Sequence, residues 1–246
     1  MTNNRGDTVW QTDEIARHYL TGVRGAIPLA QEQIDVMLRL LSASGRPIKR
    51  FVDLGCGDGV FSEVLLDRFP DSSGRLLDFS EPMLVAARER LAPYGDRVRI
   101  VSADYSDPSR VGLAGQPASI DAVVSGFSIH HQPDSIKKRI YREVFELLAP
   151  GGVFVNIEHV ASCSDWAEGL ADAHFIDSVC EFHRSRNPDC QRERIARDYV
   201  EREDKHANIL APVEDQCRWL EQIGFIDADC YLKVFELAVF AGRRPG

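Results

Sequence analysis

The sequence predicts an α/β fold, with a seven-stranded, mostly parallel β-sheet, helices on both faces and a C-terminal antiparallel hairpin. From residue 50 onward, short runs rich in β-branched residues alternate with amphipathic helical stretches, which is the pattern of a parallel sheet. The first run ends in a glycine-rich turn, 55–59, that leads into a helix. Two apolar runs lie close together near the end of the chain, and this spacing favours a hairpin.

The strands are assigned in order along the chain. Each is a short apolar run bounded by a turn signal or by an acidic residue, and the turn signal 149–152 precedes the fifth strand. The predicted strands are 51–54, 75–78, 98–101, 120–125, 152–157, 226–231 and 234–241.

The helices between these strands are assigned from apolar residues at helical spacing and from capping signals. Ser80 is the predicted N-cap of the second helix, and Pro82 lies in its first turn. Gly224 is expected to close the last helix. The predicted helices are 61–69, 80–91, 136–148 and 213–223.

A chain of 246 residues is long enough for one large hydrophobic core, so we expect a single domain over 1–246. Two mostly helical segments lie outside the strand and helix pattern: an N-terminal cap, about 1–49, and a lid insertion, about 160–209. Open α/β sheets bind ligands at the carboxyl ends of their strands. We therefore expect the cap and the lid to select the substrate.

The charge balance favours a small-molecule substrate over nucleic acid. The chain has 38 acidic and 29 basic residues and a net charge of -9, which argues against broad electrostatic capture of a polyanion. Six cysteines without a C-x-x-C pair indicate reduced thiols in a cytoplasm. No apolar run approaches the roughly 20 residues of a membrane span, so no membrane association is expected. The sequence is compatible with a homodimer.

The best-defined binding signal is the glycine-rich turn 55–59, where the backbone can approach a ligand without interference from Cβ atoms. The turn by itself also fits a dinucleotide, whose pyrophosphate would rest on the helix N-terminus. Asp78 follows Gly55 by 23 residues and ends the second strand, where a carboxylate can accept hydrogen bonds from both ribose hydroxyls. Asp104 closes the third strand beside Tyr105, where it can meet an adenine amino group. A dinucleotide site has no fixed need for this second acid.

Four segments, 52–59, 77–84, 103–104 and 147–152, together resemble the successive motifs of class I methyltransferases that use S-adenosylmethionine (SAM). The resemblance covers about residues 50–157. It implies a Rossmann-like fold, SAM as the cofactor and S-adenosylhomocysteine as the product.

The same resemblance implies a role for each matched residue. Gly55 and Gly57 would approach the methionine part of SAM, Asp53 would order the loop, and Cys56 would pack without a covalent role. The end of the fourth strand would offer backbone carbonyls to the ammonium group. The cofactor residues implied in this way are Asp53, Gly55, Cys56, Gly57, Asp78, Phe79, Met83, Ala103, Asp104, Tyr105, Ser125 and Gly126.

His130, Glu158 and His159 are the candidate catalytic residues, because imidazole and carboxylate groups can take a proton from an acceptor hydroxyl. His130 follows the fourth strand, where it has either this role or a pocket-lining or helix-capping role. Glu158 and His159 follow the predicted fifth strand and are expected to face the rim of the pocket, with hydrogen bonds to neighbouring loops as the alternative. The histidines and cysteines lack a closed zinc-site spacing, so no metal is expected.

The segment 210–225 and the strand after it resemble the carboxy-SAM synthase branch, which supplies a tRNA wobble-uridine modification. In that branch an arginine holds the added carboxylate of the cofactor, and Arg202 falls near that place. The alternative for Arg202 is a solvated helix face. Tyr19 and Arg24 of the cap are further candidates for substrate binding.

We therefore expect a SAM-dependent methyltransferase that acts on a small-molecule acceptor by in-line methyl transfer. Three alternatives stay open: a carboxy-SAM synthase-like enzyme of tRNA modification, a SAM-binding protein without catalysis, and a dinucleotide oxidoreductase.

Overall fold

The computed structural model describes residues 6–20, 24–107, 113–185 and 191–246. Its strands are β1 (Arg50–Leu54), β2 (Ser73–Asp78), β3 (Val98–Ser102), β4 (Ile120–Gly126), β5 (Leu148–His159), β6 (Ile226–Val234) and β7 (Leu237–Arg243). Its α-helices are α1 (Asp13–His18), α2 (Ala30–Ser42), α3 (Val60–Arg68), α4 (Glu81–Leu91), α5 (Asp134–Leu147), α6 (Asp165–Arg184), α7 (Arg192–Val200), α8 (Glu203–His206) and α9 (Val213–Ile223).

The strands form one sheet in the order β3-β2-β1-β4-β5-β7-β6. The strands from β3 to β5 pair in parallel, whereas β7 is antiparallel to both of its neighbours. The predicted fold class, including the C-terminal antiparallel hairpin, is confirmed. The strand order reverses between β1 and β4, and ligand crevices in such sheets form at the carboxyl ends of the strands at this reversal.

Both faces of the sheet are buried under helices. Successive side chains of a strand point to opposite faces, so along β5 Phe154 joins one core cluster and its neighbours Val153 and Val155 join the other. The first cluster includes apolar residues of α5 and α9, and the second includes those of α2, α3 and α4. Burial on both faces explains why the central strands are continuous apolar runs.

The C-terminal hairpin turns at a different place from the one predicted. Val234 was assigned to the second strand of the hairpin, but it ends β6, and the turn consists of Phe235 and Glu236. Phe235 takes the left-handed conformation, with φ +51°. The turn lacks the glycine, asparagine or aspartate that usually marks such a position, so the sequence offered no signal for it.

Ser80 precedes α4 as predicted, but its side chain does not cap the helix. Its hydroxyl instead donates a 2.5 Å hydrogen bond to the backbone carbonyl of Trp10. This bond fastens the N-terminal segment to the start of α4, so tertiary packing has overridden the local capping preference.

The segments predicted to be the cap and the lid contain helices, α1 and α2 in the first and α6, α7 and α8 in the second, and their roles as cap and lid stay predictions. Ser178 of α6 donates a 2.7 Å hydrogen bond to the carbonyl of Ala26, which joins the lid to the cap. The lid has its own small core, with Ile176, Cys180 and Tyr199 buried together. Of the helices in the described segments, none combines the length and the apolar character that a bilayer crossing requires. The assignment of 1–246 as one domain stays a prediction.

Candidate active site

The glycine loop after β1 forms one wall of a large cleft. Gly55 has φ +67°, and a Cβ there would lie 1.8 Å from Oγ of Ser128, so only glycine lets the two segments meet. Gly57 has φ +52°, and no described atom lies within 4 Å of the position that its Cβ would take. The backbone of Gly57 is therefore open to a ligand in the cleft.

Asp78 ends β2 and binds the glycine loop. Its two carboxylate oxygens accept 2.8 Å hydrogen bonds from the backbone amides of Gly57 and Ser80. Burial raises the pKa of Asp78, and these amide donors oppose the rise because they stabilise the ionised form. The carboxylate lines the cleft, and each oxygen keeps acceptor capacity for a further donor.

The cleft is a single open cavity, with a volume of ≈ 1180 Å³ that includes solvent-open space. Its described lining brings together most of the predicted cofactor, catalytic and substrate residues. Those that line it are Tyr19, Gly55, Gly57, Asp78, Phe79, Met83, Tyr105, Gly126, His130, His159 and Arg202.

The other predicted residues whose side chains the structure describes do not belong to this lining. Asp53 is buried and accepts a 2.7 Å hydrogen bond from the hydroxyl of Ser62 at the start of α3. The Ser125 hydroxyl donates to the Leu54 carbonyl at 2.7 Å, and Ala103 is buried in the core. Asp104 accepts two hydrogen bonds from Ser106, Cys56 lines an adjoining cavity, and the side chain of Arg24 lies outside the described residues.

At the other end of the cleft, His130 and Glu158 form a buried pair. Nδ1 of His130 lies 2.5 Å from Oε1 of Glu158, and only His130 belongs to the described lining of the cavity. The prediction that Glu158 faces the rim of the pocket is therefore wrong. Glu158 is within β5, which extends to His159, and adjacent residues of a strand point to opposite faces. His159 lines the cavity, whereas Glu158 stands behind His130.

Burial controls the protonation of this pair. It raises the pKa of Glu158 to about 7, although the amide of His159 and the side chain of Asn156 donate to the carboxylate. Burial, together with the nearby His159 and Lys137, lowers the pKa of His130 well below its ordinary value. Both shifts disfavour charge in a low-dielectric environment.

Two more histidines surround the pair. His131 accepts a 3.2 Å hydrogen bond from the indole of Trp10, and its ring centre lies 4.0 Å from that of His130. Burial lowers the pKa of His131 to about 3. Nε2 of His159 lies 2.8 Å from a carboxylate oxygen of Glu236, in the turn of the hairpin. Among the residues that the structure describes, no group of three or more His, Cys, Asp or Glu side chains is arranged to hold a metal ion.

The lid supplies a cationic and aromatic wall. The guanidinium carbon of Arg202 lies 4.9 Å from the ring centre of Tyr199 and 6.0 Å from that of Phe175, which is within the range of cation–π attraction. Arg202 lines the cavity and so does not lie on a fully solvated helix face. His174 also lines it, and its Nε2 atom is buried with no hydrogen-bond partner in the described structure.

Several cavity residues were missed by sequence reasoning, and all of them except Ser128, which follows β4, belong to the cap, the lid or the hairpin turn. No local pattern marks them, apart from the aromatic residues that punctuate these polar segments. They are Asp7, Trp10, Ile27, Ser128, His174, Phe175, Tyr199, Asn208, Phe235 and Glu236.

The cleft fits SAM at its glycine-loop end. The open space over Gly57 would be filled by any side chain, Asp78 offers acceptors suited to a ribose diol, and Phe79 and Met83 provide apolar surfaces suited to an adenine ring. These are the requirements of a nucleoside bound beside a parallel strand end.

Comparisons with known proteins agree with this fit. A family described as "Methyltransferase domain" matches residues 51–152. Trans-aconitate 2-methyltransferase of Acidovorax ebreus is 32% identical over 156 residues, which are 58% of this chain and 56% of that protein. Carboxy-S-adenosyl-L-methionine synthase of Trichodesmium erythraeum is 25% identical over 237 residues, which are 94% of this chain and 87% of that protein.

The fold is also that of solved methyltransferases. A phosphoethanolamine N-methyltransferase of Haemonchus contortus, in complex with SAM, superposes with a TM-score of 0.62 at 16% identity, over 98% of this chain and 60% of that chain. Residues 51–152 therefore match a methyltransferase domain within a methyltransferase fold, and SAM is the cofactor that this site fits. The chain spans about half the length of the curated methyltransferases that it matches, so these relatives establish the domain and not the acceptor.

Proposed function

We propose that this protein transfers the methyl group of SAM, in line, to a small-molecule acceptor. The observation that carries this proposal is the continuity of the cleft. One cavity runs from the glycine loop and Asp78 to His130, His159 and Arg202. The cofactor end and a chemically distinct second end therefore share one space, as a two-substrate transfer requires.

When bound, SAM supplies a methyl group that is already activated on a sulfonium, so the chain's own residues have mainly to position the acceptor and exclude water. Aromatic side chains of the cap and the hairpin suit the second task. Trp10 packs edge to face on Tyr19, with ring centres 5.3 Å apart, and both line the cavity with Phe235. In this proposal the cap closes over the reacting groups.

Arg202 is assigned to the acceptor in this proposal. Guanidinium groups favour carboxylate and phosphate partners, and stacking on Tyr199 orients the planar group before a ligand arrives. Trans-aconitate, the acceptor in the name of one relative, is a small carboxylate. We therefore favour an anionic small molecule over nucleic acid as the acceptor, consistent with the net charge of -9. A cytoplasmic location, predicted from the cysteine pattern, belongs to the same proposal.

The test is a transfer assay with SAM labelled in the methyl group and fractions of a metabolite extract containing small carboxylates. The expected result is label in an organic product and an equal amount of S-adenosylhomocysteine. The Asp78→Ala variant, which should bind SAM weakly, is the matched control for background transfer. Tight SAM binding with no product from any fraction would contradict the proposal and would favour SAM binding without catalysis.

Carboxy-SAM synthase activity is the second candidate, and a specific observation favours it. The synthase of Trichodesmium erythraeum aligns with 94% of this chain, including the lid that contributes Arg202 to the cavity. A guanidinium there could hold an added carboxylate on the cofactor. Mass spectrometry of the cofactor that purifies with the full chain separates the candidates. A SAM ion heavier by one carboxylate, lost in Arg202→Met, supports the synthase, whereas unmodified SAM or S-adenosylhomocysteine supports the methyltransferase.

A further inference from the structure

The His130 and Glu158 contact restricts where protons can lie. A separation of 2.5 Å between Nδ1 of His130 and Oε1 of Glu158 requires a proton between the two atoms, because two lone pairs at this distance would repel each other. The shared proton is held by either partner. The contact therefore couples the ionisation of the carboxyl group to the tautomer of the imidazole.

The protonation state of Nε2, the second ring nitrogen of His130, follows from the number of protons that the pair holds. When the pair holds one proton, that proton lies at Nδ1 and Nε2 presents a lone pair. When the pair holds two protons, the second lies at Nε2, whether the shared proton belongs to the imidazole or to the carboxyl group. Nε2 of His130 thus changes from acceptor to donor when the pair gains its second proton.

His130 is the member of the pair that lines the cavity, and because its Nδ1 is held by Glu158, Nε2 is the ring nitrogen left for a ligand. Asn208 lies close enough to His130 to favour its charged form. Asn208 is itself a cavity residue and also lies 3.4 Å from Nδ1 of His159. Asn208 is therefore near both imidazoles at the acceptor end.

Charged and titratable groups from several elements face the pair. Lys137 and His159 disfavour a charged His130, and His131 and His159 favour an ionised Glu158, so these groups all act against a second proton on the pair. Burial is the largest influence on both members of the pair. The groups that face the pair are His131, Lys137, Tyr141, His159 and Tyr105.

We propose that Nε2 of His130 is the general base of the transfer, that Glu158 is the positioning residue that sets its tautomer, and that the acceptor nucleophile is a hydroxyl. This inference rests on the proposed methyl transfer. The hydroxyl proton passes to Nε2, the acceptor oxygen forms a bond to the methyl carbon, and the S–CH3 bond breaks with its electron pair left on sulfur. The proton then leaves the pair for solvent.

The experiment is a long-range ¹H–¹⁵N correlation of the full chain labelled with ¹⁵N-histidine, titrated from about pH 5 to about pH 9. His130 is assigned as the resonances absent from His130→Gln. We expect Nε2 of His130 to change from protonated to unprotonated on passing through neutral pH while Nδ1 stays protonated or shared. In Glu158→Gln we expect no such change across neutrality.

Glu236→Gln is the matched control, because it removes the carboxylate of the neighbouring His159 pair, and we expect the transition of His130 to persist there. An Nε2 that keeps one protonation state in the wild type, or a transition that survives Glu158→Gln, overturns the proposal. The wild-type titration alone is decisive if Glu158→Gln does not fold. With an acceptor in hand, kcat/KM should fall about tenfold for each pH unit below neutrality in the wild type and lose this dependence in Glu158→Gln.

The two readouts separate this inference from the function on which it rests. If methyl transfer is observed without the Nε2 transition, the general-base role of His130 is rejected and the proposed methyltransferase function stands. If the Nε2 transition is observed but no methyl group is transferred to any hydroxyl acceptor, the general-base role of His130 is also rejected.

Discussion

The carboxylate of Asp78 accepts a 2.8 Å hydrogen bond from the backbone amide of Gly57, so the end of β2 holds the glycine loop in place. The same carboxylate lines the cleft where we expect the ribose of SAM. One buried side chain therefore shapes the loop and faces the cofactor site.

Asp78→Ala should weaken SAM binding by on the order of 2 to 4 kcal/mol, because charge-assisted hydrogen bonds and the loop anchor are lost together. Isothermal titration calorimetry measures the change. The control is Glu81→Ala, which removes an exposed acid three residues further along the chain that pairs with Arg88, and its SAM affinity should match the wild type. Unchanged affinity in Asp78→Ala would mean that another acid holds the ribose.

Gly55→Ala should lower the melting temperature and abolish SAM binding. The new Cβ would lie 1.8 Å from Oγ of Ser128, and the residue would keep φ +67°, which costs about 1 to 2 kcal/mol for a residue other than glycine. Differential scanning calorimetry gives the loss of stability. Adding Ser128→Gly should restore part of it, and a double variant no more stable than Gly55→Ala would remove the steric explanation.

Gly169→Ala is the contrasting glycine substitution, and it should stabilise the lid. Gly169 lies inside α6, is exposed, and has no described atom within 4 Å of the position of a Cβ. Alanine in a helix interior is favoured over glycine by about 0.5 to 1 kcal/mol. A higher melting temperature, or slower hydrogen exchange in α6, checks this, and a destabilised lid would contradict it.

His131→Gln should make the protein more resistant to acid. The pKa of His131 falls from its ordinary 6.5 to about 3 on folding, so between these values the unfolded chain binds a proton that the folded chain does not. The contribution of His131 to the free energy of unfolding is complete above pH 6.5 and is lost as the pH falls towards 3. The loss is about 1.4 kcal/mol for each pH unit.

Urea unfolding at about pH 7, 6 and 5 measures this slope. Glutamine can still accept the hydrogen bond of the Trp10 indole and does not titrate. The unfolding free energy of the variant should therefore fall less steeply with pH, by the contribution of about one proton. His206→Gln changes an exposed histidine and should keep the wild-type slope. Equal slopes in all three proteins would exclude His131 as the acid-sensitive group.

Arg202→Lys should raise the KM of an anionic acceptor about tenfold while SAM affinity stays within about twofold. Lysine keeps the charge but loses the planar fork and the stacking on Tyr199. Steady-state kinetics with each substrate varied in turn measures both effects. Arg192→Lys, in the exposed pair with Asp177, is the control, and an equal KM increase there would assign the effect to general charge on the lid.

Local patterns were sufficient for the main features of the fold and for the cofactor class. The alternation of apolar runs and helices predicted each strand to within a few residues, because buried parallel strands are continuous apolar runs. Errors arose where a neighbour in space overrode a local preference, or where no local signal existed. Ser80 bonds Trp10 and does not cap α4, and the hairpin turn has no turn residue that would mark Phe235.

The glycine loop and Asp78 lie on consecutive strand ends, so their proximity follows from sequence order and parallel pairing, and the residues alone led to SAM. The residues at the acceptor end of the cleft do not lie on consecutive strand ends. His130 meets Glu158 because β4 and β5 are neighbours and Glu158 points away from the rim, while Trp10, Arg202 and Glu236 arrive from the cap, the lid and the hairpin. These contacts depend on how segments that are distant in the sequence pack together. A short-range pattern in the sequence does not predict such packing.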